Sequence, residues 1–139
     1  MKIFFAILII SFSFVLLDSC NQKVDSCTDD IICTQEFASV AMQVTDTLNK
    51  PYILDSFKVI NAVTSTVIID VKPNKLVDTT GYYTIFSDTY MDKVEKDGTV
   101  FNFHGWGGAN LKVNEEFKIG HNCCHIVQKN GKAKIVVQP

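Results

Sequence analysis

The residues best suited to chemistry lie near the C-terminus, in the spacing His121-x-Cys123-x-His125. Alternate residues of a β-strand share a face, so these side chains would point the same way, with His104 as a further ligand. Imidazole and thiolate together suit zinc or copper. An oxidising compartment would instead place Cys123 in a disulfide and remove the thiolate. We therefore expect no cofactor, with a metal bound by this strand as the alternative.

A cysteine nucleophile is a weaker interpretation of the same stretch. Neighbouring residues of a strand point to opposite faces, so Cys124 cannot use His125 as its base. Cys123 does share a face with His125, but the sequence shows no third group that would orient the imidazole. The chain also lacks a G-x-S-x-G elbow, a phosphate-binding Gly-Lys-Ser/Thr motif and calcium-loop spacing. We expect that the protein is not an enzyme.

The dipeptide Asn130-Gly131 predicts a two-residue type I′ turn, because both central positions of that turn need positive φ. Folding about it pairs Cys124 with Val137 and His125 with Val136. In this register the core face carries Cys124, Ile126, Ile135 and Val137. Cys123 lies on the opposite face, with His121 and His125 beside it if the strand begins at residue 121.

The N-terminus has the pattern of an export signal. Met1-Lys2 is followed by an apolar run, Ile3 to Leu17, of roughly 15 residues, whereas a membrane-spanning helix needs about 20. The stretch from Leu17 to Cys20 is similar to a bacterial lipobox, in which the cysteine receives the lipid, palmitate included. The alternative is a conventional signal peptide that leaves Cys20 as an ordinary thiol.

These signals divide the chain into three parts. They are a signal peptide at 1–19, a lipid anchor and tether at 20–34, and one β-sandwich domain at 35–139. The net charge of −2 and the pI of about 5.8 give no electrostatic reason to expect nucleic acid. All basic residues are lysine, so planar bidentate recognition by arginine is excluded.

The remaining cysteines are Cys27, Cys33, Cys123 and Cys124. An even number in an exported chain predicts disulfides, with three connectivities open. A bond between Cys123 and Cys124 would be strained. We favour at least one crossed bridge from the N-terminal pair to the C-terminal pair, which closes a loop of roughly 90 residues and is worth roughly 2–4 kcal/mol. A local Cys27–Cys33 bridge with two free thiols is the alternative.

Period-two hydrophobic patterns and regular turn signals predict an all-β fold, an antiparallel β-sandwich of about seven to eight strands. The predicted strands are 36–45, 52–60, 64–71 as a central strand, 82–86, 99–104, 109–118 and the two hairpin strands. One short helix is predicted between Thr89 and Gly98, with Thr89 and Asp92 as a pair resembling a capping box.

Aromatic side chains supply the candidate ligand surface. Gly105-Trp106-Gly107-Gly108 is expected to break a strand, so that Trp106 covers the end of the sandwich. Alternatively, Trp106 forms an exposed platform for a sugar or peptide, with help from Tyr82, Tyr83 or Tyr90.

The chain resembles the small β-sandwich lipoproteins of Bacteroidota, of the immunoglobulin or transthyretin kind. The resemblance rests on the start similar to a lipobox, on the segment from Val44 to Pro51, and on the Cys-Cys-His strand with its Asn-Gly turn. It implies location and fold, not chemistry. Asp46-Thr47-Leu48 and Asp78-Thr79-Thr80 also look like O-glycosylation acceptors of that phylum.

The expected protein is a lipid-anchored lipoprotein of the cell envelope, held at the outer membrane. Its expected role is binding or structural, with a glycan or an envelope protein as partner and no nucleic acid. The alternative role is that of a small metal-binding or redox protein that uses residues 121–125.

Overall fold

The computed structural model describes residues 27, 31–73 and 79–138. Eight strands and one short 3-10 helix follow each other in this part of the chain. They are β1 Ser39–Thr45, β2 Ser56–Asn61, β3 Val67–Val71, β4 Tyr82–Ser87, the helix Asp88–Lys93, β5 Thr99–Gly107, β6 Asn110–His121, β7 Ile126–Asn130 and β8 Lys134–Val136. This composition confirms the predicted all-β class. The described part contains no helix with the length and apolar character that a bilayer crossing needs.

Some expectations fall outside these residues. The predicted signal peptide, the lipidation site Cys20, most of the tether and Asp78 of one glycosylation tripeptide are not described.

The strands form two sheets, one of three strands in the order β4-β1-β8 and one of five in the order β3-β2-β5-β6-β7. Neighbours in the five-stranded sheet are all antiparallel. In the three-stranded sheet β1 is antiparallel to β4 but parallel to β8. The two sheets therefore form a sandwich whose antiparallel arrangement is interrupted at one pair.

One apolar core lies between the sheets. Side chains alternate along each strand, so Val40, Met42 and Val44 of β1 are buried while their neighbours Ser39 and Ala41 are exposed. Aromatic rings join the two layers.

The rings of Phe57 and Tyr83 meet edge to face at 5.7 Å between centroids, and those of Phe86 and Phe101 at 4.6 Å. The Tyr83 hydroxyl accepts a hydrogen bond from the amide of Leu54 (2.7 Å) and donates one to the carbonyl oxygen of Tyr52 (3.0 Å). These bonds satisfy polar groups inside the core.

The predicted hairpin about Asn130-Gly131 is wrong. β7 pairs with β6, and β8 crosses to the other sheet and pairs with β1. Of the two turn residues only Gly131 has positive φ, at 128°, and a Cβ there would lie 2.2 Å from Phe117. The crossing gives β1 a second partner and still buries Ile135 and Val137.

The strand expected over residues 121–125 is also wrong. β6 ends at His121 and β7 begins at Ile126, so the two cysteines lie in the turn between them. The chain therefore reverses at Cys123-Cys124 and not at Asn130-Gly131. Alternation along a strand cannot assign faces to residues 122–125.

Three further elements differ from prediction. The helix is a 3-10 helix of six residues, Asp88–Lys93, and its N-cap, Ser87, makes no side-chain capping bond. The predicted capping pair is therefore wrong. β3 is an edge strand whose side chains are half-buried or exposed, not a central one. β5 continues through Gly107, because its glycine stretch carries a bulge in place of a break.

Candidate functional site

Residues 122–125 form a turn that the local sequence stabilises. The side-chain oxygen Oδ1 of Asn122 accepts hydrogen bonds from the amides of Cys124 (3.0 Å) and His125 (2.8 Å). The amide of Asn122 donates in turn to the carbonyl oxygen of His125, at 3.0 Å. Asparagine side chains often bond following backbone amides in this way. Cys123 takes a positive φ of 76° in this turn.

Both cysteines of the turn are oxidised. Cys27 is bonded to Cys123 and Cys33 to Cys124, with Cα–Cα distances of 5.6 and 5.2 Å. The partners lie 96 and 91 residues apart in sequence. This is the crossed pairing that the sequence favoured. The bridges fix the segment before β1 against the turn between β6 and β7.

A hydrogen-bonded network lies beside the bridges and is centred on Asp88, directly after β4. Its oxygen Oδ2 accepts hydrogen bonds from the amide of Ala38 and from Nδ1 of His125, both at 2.8 Å. Its other oxygen, Oδ1, accepts one from the amide of Ile126, also at 2.8 Å. At the far side of the ring, Nε2 of His125 lies 3.0 Å from the Thr34 hydroxyl. We call Thr34, Asp88 and His125, together with the two disulfides, the clasp.

The environment of Asp88 favours its charged form. Burial opposes ionisation, but the hydrogen bonds from the Ala38 amide, from the His125 ring and from the Ile126 amide outweigh this effect. The pKa of Asp88 therefore lies below its ordinary value. The carboxylate is negative at neutral pH and can hold an imidazolium as well as a neutral ring.

The order Thr34–His125–Asp88 resembles the hydroxyl, imidazole and carboxylate of a nucleophilic triad. Asp88 is thus the orienting group for His125 that the sequence did not show. The group at Nε2 is a hydroxyl and both cysteines of the turn are in disulfides, so the cysteine nucleophile considered for this stretch is not formed. Each member also comes from a different segment, and Asp88 bonds two backbone amides besides. This distribution of contacts suits a structural connection.

The structure does not assemble the predicted metal site. Ligand atoms of Cys27, His121 and Cys123 do lie within 4.8 Å of one another. However, both sulfur atoms belong to one disulfide, and Nδ1 of His121 accepts a hydrogen bond from the Cys123 amide at 3.1 Å. His125 faces Asp88 instead.

His104 lies far from these groups. It pairs with Asn114 of β6, seven positions before His121, which corresponds to about 23 Å along the strand. His104 therefore cannot join His121 in binding one ion.

The aromatic candidates also lie apart. Tyr83 is only 1% exposed and belongs to the core, so its predicted place on a ligand surface is wrong. Tyr90 packs against the core, with its ring 5.6 Å from that of Phe86. Tyr82 is 55% exposed on β4, in the three-stranded sheet, whereas Trp106 lies in the five-stranded one. The predicted cluster of four aromatic residues is not formed.

Trp106 is half-buried in a groove at one end of the five-stranded sheet. The groove has a volume of about 290 Å³. Its lining residues are Ser56, Lys58, Asp70, Val71, Lys72, Pro73, Trp106 and Gly108. Ser56 of β2 pairs with Trp106 of β5. The residues next to them, Phe57 and Gly105, are buried. Because side chains alternate between the two faces of a sheet, Ser56 and Trp106 face outward. We call this cavity the Trp106 groove.

The Trp106 groove carries charges of both signs. The ammonium of Lys58 lies 4.0 Å from Oδ2 of Asp70, and that of Lys72 is hydrogen-bonded to the same oxygen. The hydrogen bond from Lys72 lowers the pKa of Asp70, and the nearby charge of Lys58 acts in the same direction. Lys58 and Lys72 therefore form a cluster with Asp70, and a second carboxylate, that of Asp55, accepts a hydrogen bond from the amide of the lining residue Gly108.

No family model, curated protein or solved structure matches the chain. Its function must therefore be inferred from the clasp and from the groove. Sequence reasoning missed the residues Thr34, Asp88, Lys58, Asp70 and Lys72. The alternation of polar and apolar residues in β2 and β3 could have placed the last three on an outward face, although not beside Trp106.

The two disulfides should contribute non-additively to stability. Once one bridge is present, the second closes a ring of only about ten residues. It should then add about 3 kcal/mol or a little less to the free energy of unfolding. The double substitution Cys33→Ala with Cys124→Ala should therefore cost at most that amount. Removing the other bridge as well should cost more than this first step, up to about 4.7 kcal/mol by loop entropy alone, because it opens a loop of roughly 100 residues. Urea denaturation without reductant measures both steps, and equal costs would contradict the nested arrangement.

Asp88 should make stability depend on pH. Its folded-state pKa lies below its unfolded value, so its contribution is complete above about pH 4 and is lost as the pH falls through the folded pKa. Asp88→Asn should cost about 1–3 kcal/mol at pH 7 and flatten the loss of stability on acidification. Urea denaturation over a pH series tests this. The exposed Asp92→Asn is the control and should change stability by less than about 0.5 kcal/mol. Equal slopes for Asp88→Asn and wild type would exclude the role given to Asp88.

Proposed function

We propose that the protein is a non-catalytic binding module of the bacterial cell envelope, held at the outer membrane by a lipid on Cys20. The Trp106 groove carries this proposal. It is concave, it combines one aromatic ring with a few polar groups, and it faces outward from a sheet whose other face is committed to the core. Ligand sites in proteins typically have this composition.

The export signal and the disulfides support the proposed location. The apolar run and the segment from Leu17 to Cys20 have the pattern of a lipoprotein signal. Two disulfides between distant parts of the chain are typical of proteins that mature in an oxidising compartment. These two features belong to different regions of the chain and favour the same location.

The positions of the clasp and the groove suit a membrane-anchored binding protein. About seven residues separate Cys20 from Cys27, so a lipid on Cys20 would hold the clasp within about 25 Å of the bilayer. Trp106 pairs with Leu111, ten positions before His121 in β6, or about 30 Å along the strand. The groove would then lie at the end of the domain away from the anchor, where it could reach a partner.

The partner that suits the groove is a small ligand segment such as a glycan. The groove volume of about 290 Å³ lies near the lower end of small-molecule sites, which span roughly 300–1,000 Å³. An envelope protein is the other partner that we consider, and it would need to insert one exposed side chain or loop into the groove.

A metal-binding or redox role is the second candidate function. The observation that favours it is the proximity of the ligand atoms of Cys27, His121 and Cys123. Thiolates can bind a metal only after the disulfide is reduced. The oxidation state therefore separates the two functions. Free thiols together with stoichiometric zinc or copper in the purified protein would favour the metal-binding role.

The lipid anchor predicts how the full-length protein partitions. In a lipoprotein-processing host, wild-type protein should enter the detergent phase of a Triton X-114 extract and incorporate labelled palmitate. Cys20→Ala should do neither, because a lipid chain contributes about 0.8 kcal/mol per buried CH₂ to membrane association. Cys33→Ala is the control and should still be labelled. A labelled Cys20→Ala variant would exclude lipidation at this residue.

The groove predicts a fluorescence response, because Trp106 is the chain's single tryptophan. A panel of short oligosaccharides and peptides should contain members that shift its emission. Trp106→Ala should weaken binding of those members by about tenfold or more in calorimetry, as expected for a central aromatic contact. Tyr82→Ala removes an exposed aromatic ring from the other sheet and should leave binding unchanged. If Trp106→Ala binds as tightly as wild type, the ligand site lies elsewhere.

A further inference from the structure

We propose that the Trp106 groove binds a sugar that carries a carboxylate, a uronic acid unit of an acidic glycan. The inference rests on the proposed function and names the class of its ligand. The indole ring would lie against the apolar face of the sugar ring, and the two lysines would attract the carboxylate.

The apolar side of the groove fits a sugar ring. Trp106 offers an aromatic surface, and Pro73 adds aliphatic surface beside it. Aromatic side chains combine apolar contact with restricted mobility, so they bind the C–H face of a ring at a low cost in conformational entropy. The polar groups of Ser56 and Asp70 lie in the same cavity, where they can bond sugar hydroxyls.

The charged side of the groove selects the anion. Lys58 and Lys72 both approach one oxygen of Asp70, so this carboxylate holds two ammonium groups together. Two like charges this close repel each other, and a second anion beside them relieves the repulsion. Lysine attracts anions as a point charge, which does not require the planar geometry of arginine.

The charge of the cluster formed by Lys58, Asp70 and Lys72 favours a singly charged anion over a doubly charged one. The two lysines and Asp70 together leave one positive charge, which a carboxylate neutralises. A phosphate monoester carries close to two negative charges at neutral pH and would leave one of them uncompensated beside Asp70. A neutral sugar would leave the positive charge unbalanced. The carboxylated sugar is therefore the best complement.

The test compares oligogalacturonate with neutral galactose oligomers of the same length. Calorimetry and Trp106 emission are measured on the mature chain with Cys20→Ala, which keeps both disulfides. The acidic oligomer should bind at least about tenfold more tightly, which corresponds to about 1.4 kcal/mol. Its affinity should fall as salt is added, because the contact with the lysines is ionic.

Variants separate the groove lysines from general charge. Lys58→Gln and Lys72→Gln should each weaken binding of the acidic oligomer about tenfold and leave binding of the neutral oligomer unchanged. Lys93→Gln makes the same charge change on the exposed 3-10 helix and should have no effect. Equal thermal denaturation midpoints for the three variants show that folding is intact.

Failure of the carboxylate assignment and failure of the proposed binding function give different results. Equal affinity for acidic and neutral oligomers would overturn the carboxylate assignment and leave the proposed binding function standing. Equal affinity for sulfated and carboxylated oligomers would also overturn it. If peptides alone shift Trp106 emission, the glycan class is wrong. A groove that responds to no sugar or peptide would overturn the proposed function together with this inference.

Discussion

The carboxylate of Asp88 connects segments of both sheets at the edge of the apolar core. It follows β4 in the three-stranded sheet and accepts hydrogen bonds from His125 and Ile126 at the edge of the five-stranded sheet. It also bonds the amide of Ala38, just before β1. At the edge of a sandwich the two sheets cannot be joined by buried apolar side chains alone, because both layers end there. A charged acceptor with three donors supplies the connection, and the two disulfides beside it limit how far the segments can separate.

The clasp uses the residues that would otherwise be the most reactive in the chain. Both cysteines of the turn are consumed in disulfides, and His125 is held between Asp88 and Thr34. Oxidation removes the thiolates that a metal would need, so the same four cysteines cannot stabilise the fold and bind an ion at once. The groove is built from lysine, aspartate, serine and tryptophan, which tolerate an oxidising compartment without a change of charge. Stability and the proposed binding would therefore depend on different chemistry at opposite ends of the domain.

Local patterns in the sequence predicted what each strand buries but not which strands pair. Ile126, Ile135 and Val137 are buried, as the alternation indicated, even though the hairpin that was expected to align them does not form. The alternation of buried and exposed side chains depends on neighbours in sequence. The choice between β1 and β7 as the partner of β8 depends instead on which sheet edge is left unpaired. Asn130-Gly131 marks the end of a strand in either case, and only the sheet arrangement decides which strand β8 joins.

The candidate site was less predictable because its contacts connect distant residues. Asp88 lies 37 positions from His125 and 50 from Ala38, and two of its donors are backbone amides, which carry no sequence signal. The crossed disulfides were predictable because the cysteine count and the poor geometry of an adjacent pair limited the choices. Lys58 and Asp70 face each other through the register of β2 and β3. A shift of one residue in that register would place one of them in the core.

The surroundings of Trp106 indicate that the groove is formed before a ligand arrives. A Cβ at Gly105 would lie 2.6 Å from Leu54, so the absence of a side chain allows Leu54 to pack against this part of β5. The carbonyl oxygen of Trp106 accepts a hydrogen bond from the Asp55 amide at 2.8 Å, and the Asp55 carboxylate accepts one from the amide of Gly108. The backbone on both sides of the ring is thus held by residues 54–55. A ligand would not have to order this strand, and the conformational entropy that binding usually costs is reduced at the position where the main apolar contact is made.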